Sequence, residues 1–161
     1  SKIKNNFDCV VLLDDDHIYH NKVLEILVSN FKKKKINYSY YLNKIFNIRN
    51  GQCSDGFLIN VELLNDIDKF YLEYVKNSKN MFLDDDLWFA IYLYCEKKSS
   101  IENVIQDFKN ITGNSISYTQ SINKDIDALH QIEHKSSKLL NRRKIQKIEF
   151  IKYKFKKFFN F

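Results

Sequence analysis

The sequence lacks several residues and patterns that would point to particular classes of protein. It contains no proline and only three glycines among 161 residues, while lysine, asparagine, isoleucine, phenylalanine and tyrosine are abundant. We interpret this bias as the mark of an AT-rich genome. The scarcity of proline and glycine therefore says little about function.

Cysteine is also scarce, and long apolar runs are missing. Cys9, Cys53 and Cys95 are odd in number, scattered, and form no CxxC pair. We therefore expect neither a disulfide framework nor a metal finger, and we expect a reducing, cytoplasmic compartment. No run of about 18 apolar residues is present and no secretory signal opens the chain, so the sequence predicts no membrane-spanning helix.

Length and charge set further bounds. A chain of 161 residues with 44% hydrophobic and 15% aromatic content can bury one core. The net charge is +6, but residues 142–161 carry eight Lys or Arg against the single Glu149. That segment has a local charge of +7, which leaves about −1 for residues 1–141 by subtraction from the total. The basic character belongs to the C-terminal tail.

The most informative stretch is an apolar run, residues 10–13, that stops at Asp14, Asp15 and Asp16. Its β-branched residues predict a buried strand, and in open α/β sheets ligands collect at the carboxyl ends of strands. In an extended chain Asp14 and Asp16 point the same way, so both carboxylates can hold one Mg²⁺ or Mn²⁺ ion. The alternative is a solvated turn that caps the next helix.

The following residues predict alternating helices and strands. Apolar residues at helical spacing predict a helix over 23–31, and alternation over Ile36–Leu42 predicts a half-buried strand. Asn50-Gly51 is a turn signal, and Gly56 directly precedes a short apolar strand, where it can let the backbone approach a ligand closely. An ordinary turn also accounts for Gly56. A short strand is predicted at Val104-Ile105.

A second acidic triplet, Asp84-Asp85-Asp86, opens a further predicted helix. Asn60 is expected to cap the helix before it, over 61–75, and Trp88 stands in the first turns of the later one. Acidic residues at a helix N-terminus stabilise it through the dipole, but one cap needs only one Asp. A carboxylate held there can also serve as a general base.

In this order, the strand with Asp14–Asp16, the glycine strand at Gly56 and the triplet Asp84–Asp86 resemble the second half of a GT-A-fold glycosyltransferase. The resemblance covers roughly residues 7–105. It implies an α/β fold with a mixed sheet flanked by helices, followed by a C-terminal helical tail. It also implies transfer of a sugar from a nucleotide-sugar donor to the hydroxyl of a glycan, lipid or protein acceptor.

The resemblance assigns a role to each matching position. Asp14 would contact the nucleotide or the metal, and Asp16 would bind Mn²⁺ or Mg²⁺ directly. Gly56 and Phe57 would line the sugar and acceptor pocket. Asp86 would be the catalytic base and Asp85 the acidic residue before it. Asp84 receives no role.

The family also often supplies one more metal ligand from the C-terminal part. His130 or His134 is the imidazole available there, and we take His130 as the candidate. A surface histidine on a helix is the alternative.

The sequence departs from the family where the strands ahead of the first triplet should be. Only thirteen residues precede Asp14, whereas each βαβ unit of the nucleoside-binding half needs about 30 residues. We therefore expect either a fragment of a longer enzyme or a truncated relative that cannot bind donor alone. The predicted organisation is a catalytic portion over 1–120 and a helical tail over 121–161.

The tail combines basic and aromatic residues. Ile148, Ile151, Phe155 and Phe158 fall on one stripe of a predicted helix, with lysines between them. This pattern is typical of a helix lying in an anionic membrane interface, which would make the protein peripherally membrane-associated. A helix packed on the domain and a disordered terminus are the alternatives. We do not expect nucleic acid as the partner.

Two other functions compete with the glycosyltransferase. An apolar strand ending in Asp14-x-Asp16 also resembles the first motif of haloacid-dehalogenase-type phosphatases, with Asp85-Asp86 as the later metal-binding pair. Ile18 stands where that family commonly has Thr, and the spacing between the motifs is short. The remaining alternative is a non-catalytic glycosyltransferase remnant that binds a partner or a membrane.

Overall fold

The computed structural model describes residues 7–13, 17–19, 22–52, 56–104, 119–121 and 137–159. The strands are β1 (Cys9–Leu12), β2 (His17–Tyr19), β3 (Asn37–Ser39), β4 (Leu42–Ile45), β5 (Ile48–Gly51), β6 (Phe57–Asn60), β7 (Ile101–Asn103) and β8 (Thr119–Ser121). The α-helices are α1 (Val23–Lys34), α2 (Ile67–Phe70), α3 (Lys79–Phe82), α4 (Asp85–Ile91) and α5 (Ser137–Phe159). A 3₁₀ turn (Val61–Leu64) and two π-helical turns (Tyr71–Val75 and Tyr92–Glu96) complete the described elements.

The main sheet has four strands in the order β1-β6-β3-β7. Strand β6 is antiparallel to both of its neighbours, whereas β7 is parallel to β3. Two further pairs, β2 with β8 and β4 with β5, form small antiparallel ribbons. The expected α/β class, with a mixed sheet, helices and a C-terminal helix, is confirmed.

Helices cover both faces of this sheet. Successive side chains of a strand point to opposite faces, and in β6 Phe57 and Ile59 enter one hydrophobic cluster while Leu58 enters the other. The second cluster lies under α1, whose buried residues are Val23, Ile26, Leu27 and Phe31. The first cluster also receives α4 and α5, through Leu87, Ile91, Phe150 and Tyr153. Burial on both faces explains why every residue of β6 is buried.

Strand β1 forms where the apolar run predicted it, but it is not fully buried. All four residues from Cys9 to Leu12 are half-buried. The reason is its position, because within the described residues β1 pairs only with β6 and so lies at the edge of the sheet. The prediction of a buried strand was wrong in this respect.

The predicted half-buried strand over Ile36–Leu42 is shorter and more deeply buried. Only Asn37–Ser39 form β3, and all three residues are buried because β3 lies between β6 and β7. The polar side chains at this interior position are bonded: Asn37 Nδ2 donates to Ser99 Oγ at 3.0 Å, and Ser39 Oγ donates to the Tyr41 carbonyl at 2.8 Å. Alternation of polar and apolar residues therefore did not mark a solvent-facing side.

The turn predicted at Asn50-Gly51 is also wrong, because both residues belong to β5. The hairpin between β4 and β5 turns instead at Phe46 and Asn47, where Phe46 has a φ of 55°. Gly51 serves close packing, since a Cβ there would lie 3.0 Å from Ser39 Cβ.

Asn60 caps as predicted, but the helix that follows is not continuous. Its side chain accepts from the Glu62 N–H at 3.0 Å. The chain then breaks at Asp66, which has a φ of 68° and separates the 3₁₀ turn from α2. The Tyr92 hydroxyl bonds to the Leu63 carbonyl at 2.6 Å and also to the Asn65 carbonyl. A side chain distant in sequence therefore satisfies backbone groups that a continuous helix would have paired.

Three further predictions concern helix α1, the strand near Val104 and the domain boundary. Helix α1 spans the predicted residues and ends with Lys32, Lys33 and Lys34 in its last turn. The strand expected at Val104-Ile105 lies earlier, as β7, and Val104 follows it as a buried residue. The proposed division at 120/121 falls within β8, and as a domain boundary it stays a prediction.

The tail forms the 23-residue helix α5, one face of which packs on the rest of the chain. Glu149 accepts hydrogen bonds from Ser78 Oγ and Asn80 Nδ2, both at 3.0 Å. Glu96 pairs with Lys157 Nζ at 2.5 Å and accepts from the Tyr153 hydroxyl. Within the described residues no helix is both long and apolar enough to cross a membrane.

Candidate functional site at the carboxyl edge of the sheet

Three strands of the main sheet end at the same edge. Strands β1 and β3 are both antiparallel to β6 and therefore run in the same direction, and β7 is parallel to β3. Leu12 and Ser39 both lie opposite Phe57, and Ser39 lies beside Asn103. We call this end of the sheet the carboxyl edge. In open α/β sheets it is the edge where ligands bind.

The first acidic triplet follows β1 in the sequence. Asp14 and Asp16 lie outside the described residues, but Leu12 and Leu13 lead into them. Because Leu12 is paired with Phe57, Gly56 lies at the level of the residue that follows Leu12. The structure therefore places Gly56 at the level of Leu13, the residue that precedes Asp14 in the sequence.

Gly56 is required here for its conformation. Its φ is +92°, a region that residues with a Cβ rarely adopt. Its carbonyl accepts from the Tyr40 N–H at 3.4 Å, which fastens it to the end of β3. The neighbouring Phe57 is fully buried and packs edge-on against Phe89, with ring centroids 6.3 Å apart. Phe57 thus lies in the core below the edge, and its role in lining a sugar pocket stays a prediction.

The second acidic triplet reaches the same edge through β5. Asn50 is buried, and the amide orientation that satisfies both of its ends donates to the Asp86 carbonyl at 2.6 Å. The next residue, Gly51, lies against Ser39 and Phe57. The start of α4 is therefore connected to the carboxyl edge by direct contacts. Asn50 was missed as a site residue because its Asn-Gly dipeptide resembled a turn.

Asp84 is the cap of α4. Its Oδ1 accepts from the Leu87 N–H at 3.2 Å and from Arg142 Nη2 at 2.9 Å. Its Oδ2 accepts from Arg142 Nε at 3.1 Å and from Gln146 Nε2 at 2.9 Å. Four donors surround a buried carboxylate, so Asp84 joins α4 to α5. This contact supplies the role that the sequence resemblance did not.

Asp85 and Asp86, the two predicted catalytic residues, differ in their surroundings. Asp85 is exposed, and its Oδ1 accepts from the Asp86 N–H at 2.9 Å. Asp86 is buried, and its Oδ2 lies 3.6 Å from Arg142 Nη2. Asp86 is therefore buried like Asp84, but its carboxylate lies farther from Arg142 Nη2, at 3.6 Å against 2.9 Å.

Arg142 sets the electrostatics of this cluster. Its hydrogen bonds to Asp84 raise the pKa of the guanidinium against the opposing effect of burial, and the charges of Asp84, Asp86 and Asp85 add to the increase. The guanidinium thus places a permanent positive charge beside both Asp84 and Asp86. In the part of the chain that the structure describes, no group of three acidic, histidine or cysteine residues is placed to hold a metal.

The candidate metal ligands Asp14, Asp16 and His130 all lie outside the described residues, as does His134. The sequence reasoning missed Arg142 and Gln146, which hold the second triplet. Both lie on a helix that packs against α4 from more than fifty residues away, and Arg142 stood among eight basic residues of the tail. No local pattern distinguishes it.

Two clefts lie away from the carboxyl edge. One of about 340 Å³ is at the opposite end of the sheet, lined by Asp8, Lys35 and Asn60 among others. The other, of about 380 Å³, lies between α3 and α5 and is lined by Asn80, Glu149 and neighbouring residues. Neither brings together the residues that the sequence singled out.

Comparison of the chain with protein-family models, with curated proteins and with solved structures found no match in any of the three.

Proposed function

We propose that this chain carries the metal-binding and acceptor-binding half of a metal-dependent glycosyltransferase of the GT-A type. The observation that supports the proposal most is the carboxyl edge. Three strands that run in the same direction end there, the first acidic triplet follows one of them in the sequence, and α4 with Asp86 contacts the same edge through Asn50. The sequence order of these motifs is the order in the GT-A family.

The chemistry of the first triplet fits a hard divalent cation, because carboxylate oxygens are the ligands that Mg²⁺ and Mn²⁺ prefer. Asp14 and Asp16 would hold the ion, with His130 as a further candidate ligand. When bound, such an ion supplies neutralisation of the charge that develops on a leaving diphosphate.

The second triplet would handle the acceptor. The acceptor hydroxyl would attack the anomeric carbon of the donor sugar in line with the departing phosphate oxygen. The new bond joins the acceptor oxygen to the sugar, the bond from the sugar to the diphosphate breaks, and the hydroxyl proton passes to Asp86. This single displacement inverts the configuration. Arg142 of α5 pairs with Asp84 and contacts Asp86, so it would hold the start of α4, and the base with it, against α5.

The phosphatase alternative loses support from the same cluster. It needs Asp85 and Asp86 as a metal-binding pair, but Arg142 already lies 3.6 Å from Asp86 and pairs with Asp84. A second cation there would be repelled by the guanidinium. We therefore do not carry this alternative further.

Titration calorimetry with a panel of nucleoside diphosphates, with and without Mn²⁺, tests the proposal in a protein that carries this chain together with any nucleoside-binding half. We expect binding that requires Mn²⁺ and disappears when a chelator is added. The double variant Asp14→Asn, Asp16→Asn should lose it. Asp68→Asn, which removes an exposed carboxylate on α2, should not.

Two results would count against the enzyme. Equal binding with and without metal would remove the metal assignment, and no binding of any diphosphate would remove the donor site from this chain. Metal-dependent binding without sugar transfer would instead support the non-catalytic remnant.

A further inference from the structure

The helix α5 has two faces with opposite relations to the rest of the chain. On one face Gln146, Glu149, Phe150 and Tyr153 are buried against the domain. On the other face a row of large apolar side chains is exposed. This row, which we call the outer stripe, consists of Ile145, Ile148, Ile151, Phe155, Phe158 and Phe159.

The outer stripe is a continuous feature of the helix. Its members recur three or four residues apart, which places them on one side of an α-helix. The exposed fraction is 42% at Ile148, 60% at Phe155 and 81% at Phe158, and it is 53% at Phe159. The outer stripe extends over residues 145–159, which is about 21 Å of the helix. An exposed apolar row of this length marks an interaction surface rather than scattered surface residues.

The basic residues of α5 from Arg142 onward divide into two groups. Four have partners: Arg142 pairs with Asp84, Lys157 with Glu96, Lys156 donates to the Glu73 carbonyl, and Lys152 pairs with Glu149 of the same helix. The other four are Arg143, Lys144, Lys147 and Lys154, and within the described residues they form no salt bridge. Lys147 and Lys154 lie over the rings of Phe46 and Phe150.

This division decides what the surface can bind. Arg142, Lys156 and Lys157 hold the helix to the domain, and the charges of Arg142, Lys152 and Lys157 are offset by the acids that they pair with. Of the second group, Lys144 falls among the outer stripe by helical spacing and Lys147 falls at its border. An exposed apolar row bordered by unpaired cations complements a surface that is apolar inside and negatively charged at its boundary.

We propose that the outer stripe of α5 lies in the interface of an anionic lipid bilayer, with Lys144 and Lys147 at the level of the headgroups. The phenylalanines near the end of the helix enter the boundary of the acyl chains. The domain remains attached through Asp84, Glu149 and Glu96 on the opposite face. This inference does not depend on the proposed enzymatic function.

Co-sedimentation of the full chain with phosphatidylcholine vesicles, with and without phosphatidylserine, tests the inference. We expect binding to the anionic vesicles that weakens as salt rises, because surface charges are screened. The double variant Phe155→Ser, Phe158→Ser and the double variant Lys144→Glu, Lys147→Glu should each lower the partition coefficient about tenfold or more.

Matched control variants distinguish binding by this surface from non-specific binding to vesicles. Leu24→Ser with Leu72→Ser removes two exposed apolar side chains outside α5. Lys33→Glu with Lys34→Glu makes the same change of charge at the exposed end of α1. Both should bind the anionic vesicles as the wild type does, and thermal unfolding of each variant verifies that it folds.

The inference falls if the wild type ignores anionic vesicles at low salt, or if the control variants lose binding as much as the α5 variants. Binding of single-stranded RNA, but not of vesicles, that the lysine variant abolishes would assign the surface to nucleic acid instead. A wild-type dimer that becomes monomeric in the phenylalanine variant, without vesicle binding, would show that a second copy covers the stripe.

Discussion

Arg142 donates two hydrogen bonds to the carboxylate of Asp84, from Nε at 3.1 Å and from Nη2 at 2.9 Å. These residues are 58 positions apart in the sequence, and their pairing joins the tail helix α5 to the start of α4. The same guanidinium contacts Asp86 at 3.6 Å. The second acidic triplet is therefore divided, because Asp84 is a structural residue while Asp85 and Asp86 remain the candidates for chemistry.

Asp84→Ala should lower the free energy of unfolding by about 2–4 kcal/mol. It removes the cap of α4, which contributes about 1 kcal/mol, and it leaves Arg142 and Gln146 without their acceptor. Loss of one partner from a fully buried pair costs about 3–5 kcal/mol, but Arg142 is half-exposed and the cost here is smaller. Urea unfolding measures the loss of stability in Asp84→Ala. Asp85→Ala, at an exposed neighbour, should cost under about 0.5 kcal/mol, and equal costs would contradict the division of the triplet.

Tyr153→Ala and Phe158→Ala compare the two faces of α5. Tyr153 is 2% exposed and its hydroxyl bonds to Glu96, so its truncation should cost about 3–5 kcal/mol. Phe158 is on the outer stripe, and its truncation should change the stability by less than about 0.5 kcal/mol. Thermal or urea unfolding of the two variants measures the difference.

Because the buried face of α5 packs on the domain, deletion of residues 142–161 should unfold the domain, so point variants are needed to study the tail. A stable truncated protein would show that α5 is dispensable.

Local sequence patterns correctly predicted the elements in which the buried residues are the ones that the sequence pattern marks as apolar. Helix α1, strand β6 with Gly56 before it, the cap at Asn60 and the start of α4 were all found this way. Each of these depends on residues within a few positions of one another. Such signals survive folding because the tertiary contacts agree with them.

The elements that were predicted wrongly depend on distant contacts. Asn50 resembled a turn residue, but its amide reaches Asp86 from within a strand. Tyr92 satisfies the carbonyl of Leu63 across 29 positions, and this allows a break that helical spacing could not show. Nothing in the basic tail singled out Arg142 as the partner of Asp84. The sequence motifs name the candidate site residues, which stay a prediction, but no local pattern names Asn50, Arg142 and Gln146, which contact the second triplet.

Acid should destabilise the protein partly through Glu149. Burial alone would raise the pKa of its carboxyl, but hydrogen bonds from Lys152, Asn80 and Ser78 outweigh burial and lower the pKa below the usual 4.5. A group with a lowered pKa in the folded state contributes stability above its unfolded pKa and loses it as pH falls through the folded value. We therefore expect the loss below about pH 4.5.

Urea unfolding between neutral pH and pH 3 checks this expectation. Glu149→Gln should reduce stability at neutral pH and flatten the fall in acid. Glu25→Gln, at an exposed position of α1, controls for the removal of one negative charge. An unchanged acid profile in Glu149→Gln would exclude Glu149 as a contributor.

Gly56→Ala should destabilise the protein by about 1–2 kcal/mol, because its φ of +92° is costly for any residue with a Cβ. Space is not the cause, since the nearest heavy atom to a new Cβ would be Tyr40 Cδ2 at an ordinary 3.4 Å. Gly56→Asn should therefore cost less than Gly56→Ala, because asparagine tolerates positive φ better despite its greater size. Denaturant unfolding of both variants compares the two losses of stability. A larger loss in Gly56→Asn than in Gly56→Ala would indicate steric crowding.

The two acidic triplets should respond differently to substitution. If Asp86 is the base and Asp16 a metal ligand, Asp86→Asn should keep metal-dependent binding of nucleoside diphosphate and abolish sugar transfer, because an amide preserves the shape but cannot accept the proton. Asp16→Asn should weaken the binding itself, because it replaces a charged ligand by a neutral one. Calorimetry measures the first property, and release of nucleoside diphosphate in the presence of donor and acceptor measures the second.

Asp85→Asn is the matched control for Asp86→Asn, since it makes the same change at the exposed neighbour. Near-normal transfer by Asp86→Asn together with loss of transfer by Asp85→Asn would move the base to Asp85. A third outcome is that Asp86→Asn and Asp16→Asn lower the melting temperature but leave diphosphate binding and sugar transfer unchanged. In that case the triplets would be helix caps and turn residues, as Asp84 already is, and the glycosyltransferase proposal would fall.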